Sequence, residues 1–264
     1  MVTVDSAQLH QWLVLFVWPL FRLLAFMMTA PVLGHHAIPR TVKLGLALLL
    51  TFLIAPTLPA PPPIPVWSWA GMGIIVEQVL IGAAMGLLLR VVFAAVMVAG
   101  DYVGLQMGLA FATFVSPDTG TNTMILARIL YIIAILMFLA LDGQLMVIQT
   151  LAYSFHTLPI GYGSLNVDAF NLLVRAGSTV FTAGLVLALP LVTALLIVNL
   201  CLGILNRSAP QMTVFSVGFP TSLLLGIFLL AMMMGDLGRY LDVLFGHGLD
   251  MLHALIQAMA PAPP

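Results

Sequence analysis

The sequence predicts an all-α, membrane-associated protein built from long, kinked helical hairpins. Three observations carry that expectation. Of the 264 residues, 62% are hydrophobic and only 6% are charged, too few charges to cover a water-facing surface. The apolar residues come in long blocks separated by Pro, Gly and Asn clusters, and a backbone in hydrocarbon satisfies its own hydrogen bonds as a helix. Three of the hairpin arms are longer than a bilayer requires, which suits a packed assembly that projects beyond it.

The remaining composition narrows the class. A net charge of −1 gives no basic face for nucleic acid. Cys201 is the single cysteine and lies in an apolar run, so neither a disulfide framework nor a cysteine metal site is expected. Asp5 is the first charge, and Arg22 lies inside the first apolar run rather than before it. That is not the pattern of a cleaved leader, so the first segment is expected to be retained.

Segment one covers Leu9 to Thr29, with Pro19 one turn before Arg22. An arginine in an apolar helix is expected to face protein or a polar cavity rather than lipid. Ala30 to Thr41 reads as a loop. Segment two, Val42 to Leu58, is short and ends at Pro56, before the stiff run PAPPPIP at Pro59 to Pro65.

Segment three begins near Val66 and meets no breaker until Pro117. From Trp67 to Ala112 it counts 46 residues, about 69 Å as one helix against a bilayer core of about 30 Å. Either it breaks at Gly100 or it is one helix that leaves the membrane. Gly82-xxx-Gly86 and Gly104-xxx-Gly108 both permit close helix contact. Segment four is read as Asn122 to Leu158, with Arg128 and Asp142 inside it. Segment five is Asp168 to Leu205, N-capped by Asp168 and kinked at Pro190. Segment six, Met212 to Ala258, is interrupted at Gly218-Phe219-Pro220.

Arg40 and Lys43 flank the first loop and Arg207 lies in the fifth. With six alternating segments, the odd loops are then cytoplasmic and both termini lie on the far side. Glu77 and Arg90 are 13 positions apart and fall on different faces of one helix. Arg22, Glu77, Arg90, Asp101 and Arg128 are therefore expected as buried charges paired with another helix or another chain.

The stretch 104 to 122, GLQMGLAFATFVSPDTGTN, resembles none of its surroundings. Small glycines alternate with bulky Met107, Phe111 and Phe114, and Ser116-Pro117-Asp118 stops any helix and starts a turn. It is either a plain loop flanked by packing residues or a stretch that lines or blocks something. An adaptable methionine suits a seal that must yield and close again, which makes Met107 a candidate.

Catalytic chemistry is not visible. The six histidines are scattered, and adjacent His35-His36 do not face each other on regular structure. HExxH, GxxxxGK[ST] and a dinucleotide fingerprint are missing from the sequence. Neither an enzyme nor a nucleotide-driven pump is expected, and no cofactor or metal.

Several stretches together carry a resemblance. They are GLQMGLAFATFVSPDTGTNTMILARIL from Gly104 to Leu130, LNRSAPQMTVFSVGFP from Leu205 to Pro220, FHTLPIG from Phe155 to Gly161, and WPLFRLLAFMMTAPVLG near the N-terminus. The chain resembles the FliR family, an integral subunit of the flagellar type III export gate, over nearly its whole length. Asp101 stands where the family often has glutamate, which keeps the charge. Asp142 stands where others carry asparagine.

The resemblance implies a non-enzymatic, pore-forming subunit in a helical, screw-like assembly at the centre of the flagellar basal body. It implies a FliP-like part over residues 1–166 and a FliQ-like helical hairpin over 167–264. It implies a plug loop at about 106–122, with Gln106, Met107, Gly108, Phe111, Phe114 and Pro117 as its gate residues. The C-terminal hairpin turn, at Asn206, Arg207, Pro210 and Gln211, is implied to face the cytoplasm. FliP, FliQ and FlhB are the implied partners, with unfolded export substrates and membrane lipid. The assembly is implied to sit in the inner membrane, projecting to the periplasmic side. Two other readings are an equivalent subunit of a virulence injectisome, and a proton-coupled secondary transporter using Glu77, Asp101 and Arg128.

Overall fold

The computed structural model describes residues 6–35, 37–59, 62, 64–109, 125–161, 166, 168–208 and 218–260, with side chains from residue 14 onward, those of Asn206 and Ser208 excepted. All of the regular structure among these residues is helical. In chain order the helices are α1 (Ser6–Thr29), α2 (Arg40–Ile54), a 3-10 turn (Ala55–Thr57), α3 (Trp69–Gln106), α4 (Ile125–Ala140), α5 (Gly143–Thr157), α6 (Asp168–Ser208) and α7 (Phe219–Met259).

Helix α3 has 38 residues and α6 and α7 have 41 each, or about 57 and 62 Å at a 1.5 Å rise. The expected over-long arms are present. Among the described residues, four helical stretches are long and apolar enough to cross a membrane, or five if α4 and α5 act as one broken span. The expectation was six. The described apolar part of α1, Val14–Thr29, is shorter than 18 residues.

Of the two alternatives at Gly100 the unbroken helix is the one present, and two other boundaries differ from the sequence reading, each for a local reason. α3 runs unbroken through Gly100, where the missing side chain instead admits the backbone of Ala127 on α4. Segment four is not one helix, because Asp142 adopts φ 55°, ψ 23° between α4 and α5. Asp and Asn tolerate that left-handed well better than other non-glycine residues. Asp168 is the first helical residue of α6 rather than the residue before it, and its N–H donates to Asn166 Oδ1 at 3.0 Å. α6 then continues through Pro190.

The left-handed position gives a direct expectation. Asp142→Asn should leave thermal stability in detergent unchanged or raise it. Asp142→Val should lower it by about 1–2 kcal/mol, the cost of a β-branched residue in that well. Equal melting of the two variants would remove the strain argument.

The chain divides into two compact units. The first comprises residues 1–90, 142–176 and 247–264. Its core includes Trp18, Leu23, Phe26, Ile81, Met85, Leu151 and Phe155, all almost fully buried. The close approach of α1 and α3 follows from Gly82-xxx-Gly86. A Cβ at Gly82 would run into the Arg22 carbonyl oxygen, and one at Gly86 into Thr29 Oγ1. Lys43, one of the topology-marking cations, is buried and donates from Nζ to the Gly34 carbonyl at 2.9 Å.

The second unit comprises residues 91–141 and 177–246. Its core has an aromatic cluster of Phe93, Phe138 and Phe245 with ring centroids 5.2–5.4 Å apart, a spacing that favours tilted and edge-on contacts. Gly184 lets α6 lie against α3, since a Cβ there would come within 2.8 Å of the Ala95 carbonyl oxygen. Tyr240 of α7 donates its hydroxyl to the Ala183 carbonyl of α6 at 2.7 Å.

Candidate functional site

The end of α3 is where the sequence-marked stretch begins. It is built without proline. Gly108 takes φ 79°, the left-handed well in which glycine has no steric cost. The Leu109 N–H then donates to the Gly104 carbonyl at 3.0 Å, and the Gly108 N–H to the Leu105 carbonyl at 3.1 Å. This pair of reversed bonds is a Schellman cap. The helix therefore stops at Gln106, well before Pro117, and Gly108 serves as its terminator.

Met107 is buried. Its side chain lies on bare backbone of α7, since a Cβ at Gly226 would sit 2.6–2.8 Å from Met107 Cγ, Cε and Sδ. The carbonyl of Gln106 accepts from Asn199 Nδ2 of α6 at 3.1 Å. Asn199 Oδ1 in turn accepts the Ser222 hydroxyl of α7 at 2.7 Å. Three helices of the second unit thus meet at Gln106 and Met107. Of the sequence-marked gate residues, Phe111, Phe114 and Pro117 lie outside the described residues. So do Pro210 and Gln211 of the hairpin turn, while Asn206 and the exposed Arg207 lie in the last turn of α6.

Sequence reasoning did not single out Asn199, Ser222 or Gly226. A signal was present, because an asparagine within an apolar stretch such as LLIVNLCLG needs a partner. The partner's identity depends on packing that no periodicity reveals.

The charged residues take different places. Arg22 is fully buried in the first unit. It donates from Nε to Gln78 Oε1 at 2.8 Å, and from its two terminal nitrogens to Ser154 Oγ at 3.1 Å and the Leu158 carbonyl at 2.9 Å. Its guanidinium carbon also lies 4.1 Å from the centroid of the Phe155 ring. All three acceptors are neutral. The cation is tolerated because Glu77 lies near enough to attract it, and because it sits at the C-terminal end of α5, where the helix dipole is negative, and over an aromatic face. Glu77 and Asp101 are half-buried, while Arg90 and Arg128 are exposed.

The model of the family described as "Bacterial export proteins, family 1" matches residues 13–248. The chain belongs to that family. It is similar to the flagellar biosynthetic protein FliR of Escherichia coli (strain K12), 48% identical over 259 residues, covering 98% of this chain and 99% of that one. The FliR of Pectobacterium carotovorum subsp. carotovorum is 45% identical over 260 residues, with 98% and 99% covered. That of Bacillus subtilis (strain 168) is 27% identical over 222 residues, with 83% and 85% covered. The chain is thus an FliR-family member, a transport component of flagellar biosynthesis and protein export rather than an enzyme.

Proposed function

We propose that the chain is a pore-forming core subunit of the flagellar type III export gate, helping to close and open the channel through which unfolded flagellar proteins pass. The observation that carries this reading is the near full-length likeness to proteins named FliR. The exposed surface supports a place among partners. The most apolar windows of α6 and α7 are only 22% and 17% buried, against 61% for α3. Long apolar helices with so much free surface need lipid or sister subunits to cover them.

On this reading residues 1–166 form a FliP-like part and 167–264 a FliQ-like hairpin. FliP and FliQ are the sister subunits and FlhB wraps the side of the hairpin turn. The location is the inner membrane at the centre of the basal body, with projection to the periplasmic side. Arg22, Glu77, Arg90, Asp101 and Arg128 serve packing within the chain or pairing with neighbouring subunits. The loop at about 106–122 plugs the closed pore, with Met107, Phe111 and Phe114 as a yielding apolar seal.

Two measurements test this. Affinity purification in mild detergent should recover the sister subunits with the chain, whereas a lone monodisperse monomer would count against the assembly. Deleting residues 110–116 should raise leakage of small ions while the complex still assembles. Unchanged permeability in an assembled deletion would remove the seal.

A further inference from the structure

The accounting of carbonyl groups at the end of α3 points outside the helix. Four carbonyls at a helix C-terminus lack intrahelical partners. The Met107 N–H closes the last regular i→i−4 bond onto Val103 at 2.9 Å, and the cap then supplies donors to two of the four, Leu109 to Gly104 and Gly108 to Leu105. The next, on Gln106, is met by Asn199 of α6. A carbonyl only accepts, so the Asn199 NH2 must face Gln106 and its Oδ1 must face the Ser222 hydroxyl. The amide has one workable orientation, and it ties α3, α6 and α7 at a single point. One turn further along α7, on the same face as Ser222, Gly226 seats Met107.

We propose that Asn199, Ser222 and Gly226 are positioning residues forming a latch that fixes the end of α3, and Met107 with it, to the C-terminal helical pair. Release of Met107 and movement of α6 relative to α7 then become one event, because the same asparagine bonds both. The functional meaning of that coupling rests on the plug reading above, but the latch is defined by its own contacts. Its partly buried hydrogen bonds are of modest net strength, which suits a contact that opens and closes again.

The test uses the whole chain in its purified complex. Cys201 is exposed and is first removed by Cys201→Ser. The thiol introduced by Met107→Cys, at a buried position, is then labelled with a maleimide. Labelling should be slow with the latch intact and about tenfold faster with Asn199→Asp, which replaces the donor to Gln106 by an oxygen. Ser222→Ala should speed labelling by a smaller factor, and Ser222→Thr, which keeps the hydroxyl, should restore the parental rate.

A labelling rate unmoved by Asn199→Asp in an assembled complex overturns the latch. So does a Ser222→Thr rate equal to that of Ser222→Ala. The Gly226 seat is checked separately by ion leakage. Gly226→Ala should raise leakage through displacement of Met107, and in a Met107→Ala chain, which already lacks that side chain, it should raise leakage no further. Simple addition of the two effects overturns the seat. Faster labelling by Asn199→Asp, alongside unchanged permeability on deletion of residues 110–116, supports the latch and rejects the seal. The opposite pair of results rejects the latch and leaves the seal standing.

Discussion

Arg22→Leu should destabilise the first unit by about 3 kcal/mol. The sign is not obvious, because burying a guanidinium is itself costly and leucine removes that cost. The balance is set by what stays behind. Gln78 Oε1 and the Leu158 carbonyl each lose a donor in a buried environment, worth about 1–3 kcal/mol apiece. Ser154 loses less, since its hydroxyl still donates to the Leu151 carbonyl at 2.7 Å. The contact with Phe155 is also lost. Arg22→Lys should recover little, because one ammonium cannot span three acceptors that a planar fork reaches together. Thermal melting of the purified complex would show this as a drop of several degrees for both variants. A melting point for Arg22→Leu within about 1 °C of the parent would mean that this cluster stabilises nothing.

Arg22 also shows which parts of the fold were legible in the sequence. An arginine at the centre of an apolar segment had to face protein, and it does. What lay beyond reach was its partners, since Gln78 and Ser154 are 56 and 132 positions away. The helical class and the over-long arms were legible because composition and block length report them directly. Helix ends were less so. Gly108-Leu109 looks like more apolar helix, and only the positive φ at Gly108 makes it a cap. Asp142-Gly143 is a turn dipeptide, yet it sits in a run so apolar that block length outweighed it. At the candidate site the marked stretch did include Gln106 and Met107. Asn199 and Ser222 escaped because the role of each is fixed across helices, by a pairing that no local pattern reports.

Gly82→Ala is expected to be as damaging as the arginine replacement, and comparison with Gly73→Ala isolates the cause. Both glycines lie in α3, and in a helix interior alanine is normally favoured over glycine by about 0.5–1 kcal/mol. At Gly73 a Cβ meets nothing within 4 Å, so Gly73→Ala should be neutral or slightly stabilising. At Gly82 the Cβ would strike the Arg22 carbonyl oxygen and lie 3.0 Å from both the Arg22 carbonyl carbon and the Phe26 nitrogen. Those atoms are main chain and cannot rotate aside, so α1 and α3 must separate. That would pull Arg22 from its acceptors and cost about 3 kcal/mol. Gly86→Ala should fall between the two. Its nearest obstacle is the Thr29 hydroxyl, which can turn at the cost of its bonds to the Ala25 and Phe26 carbonyls, and the one main-chain atom in the way, the Phe26 carbonyl oxygen at 2.9 Å, needs a far smaller shift than the Arg22 carbonyl does at Gly82. The expected order of melting temperature in the assembled complex is Gly73→Ala, then Gly86→Ala, then Gly82→Ala. If Gly82→Ala melts with Gly73→Ala, α1 and α3 are not in the close contact described. The order also separates two patterns that look alike in sequence: Gly82-xxx-Gly86 works as a contact face, whereas Gly104-xxx-Gly108 ends in a helix cap.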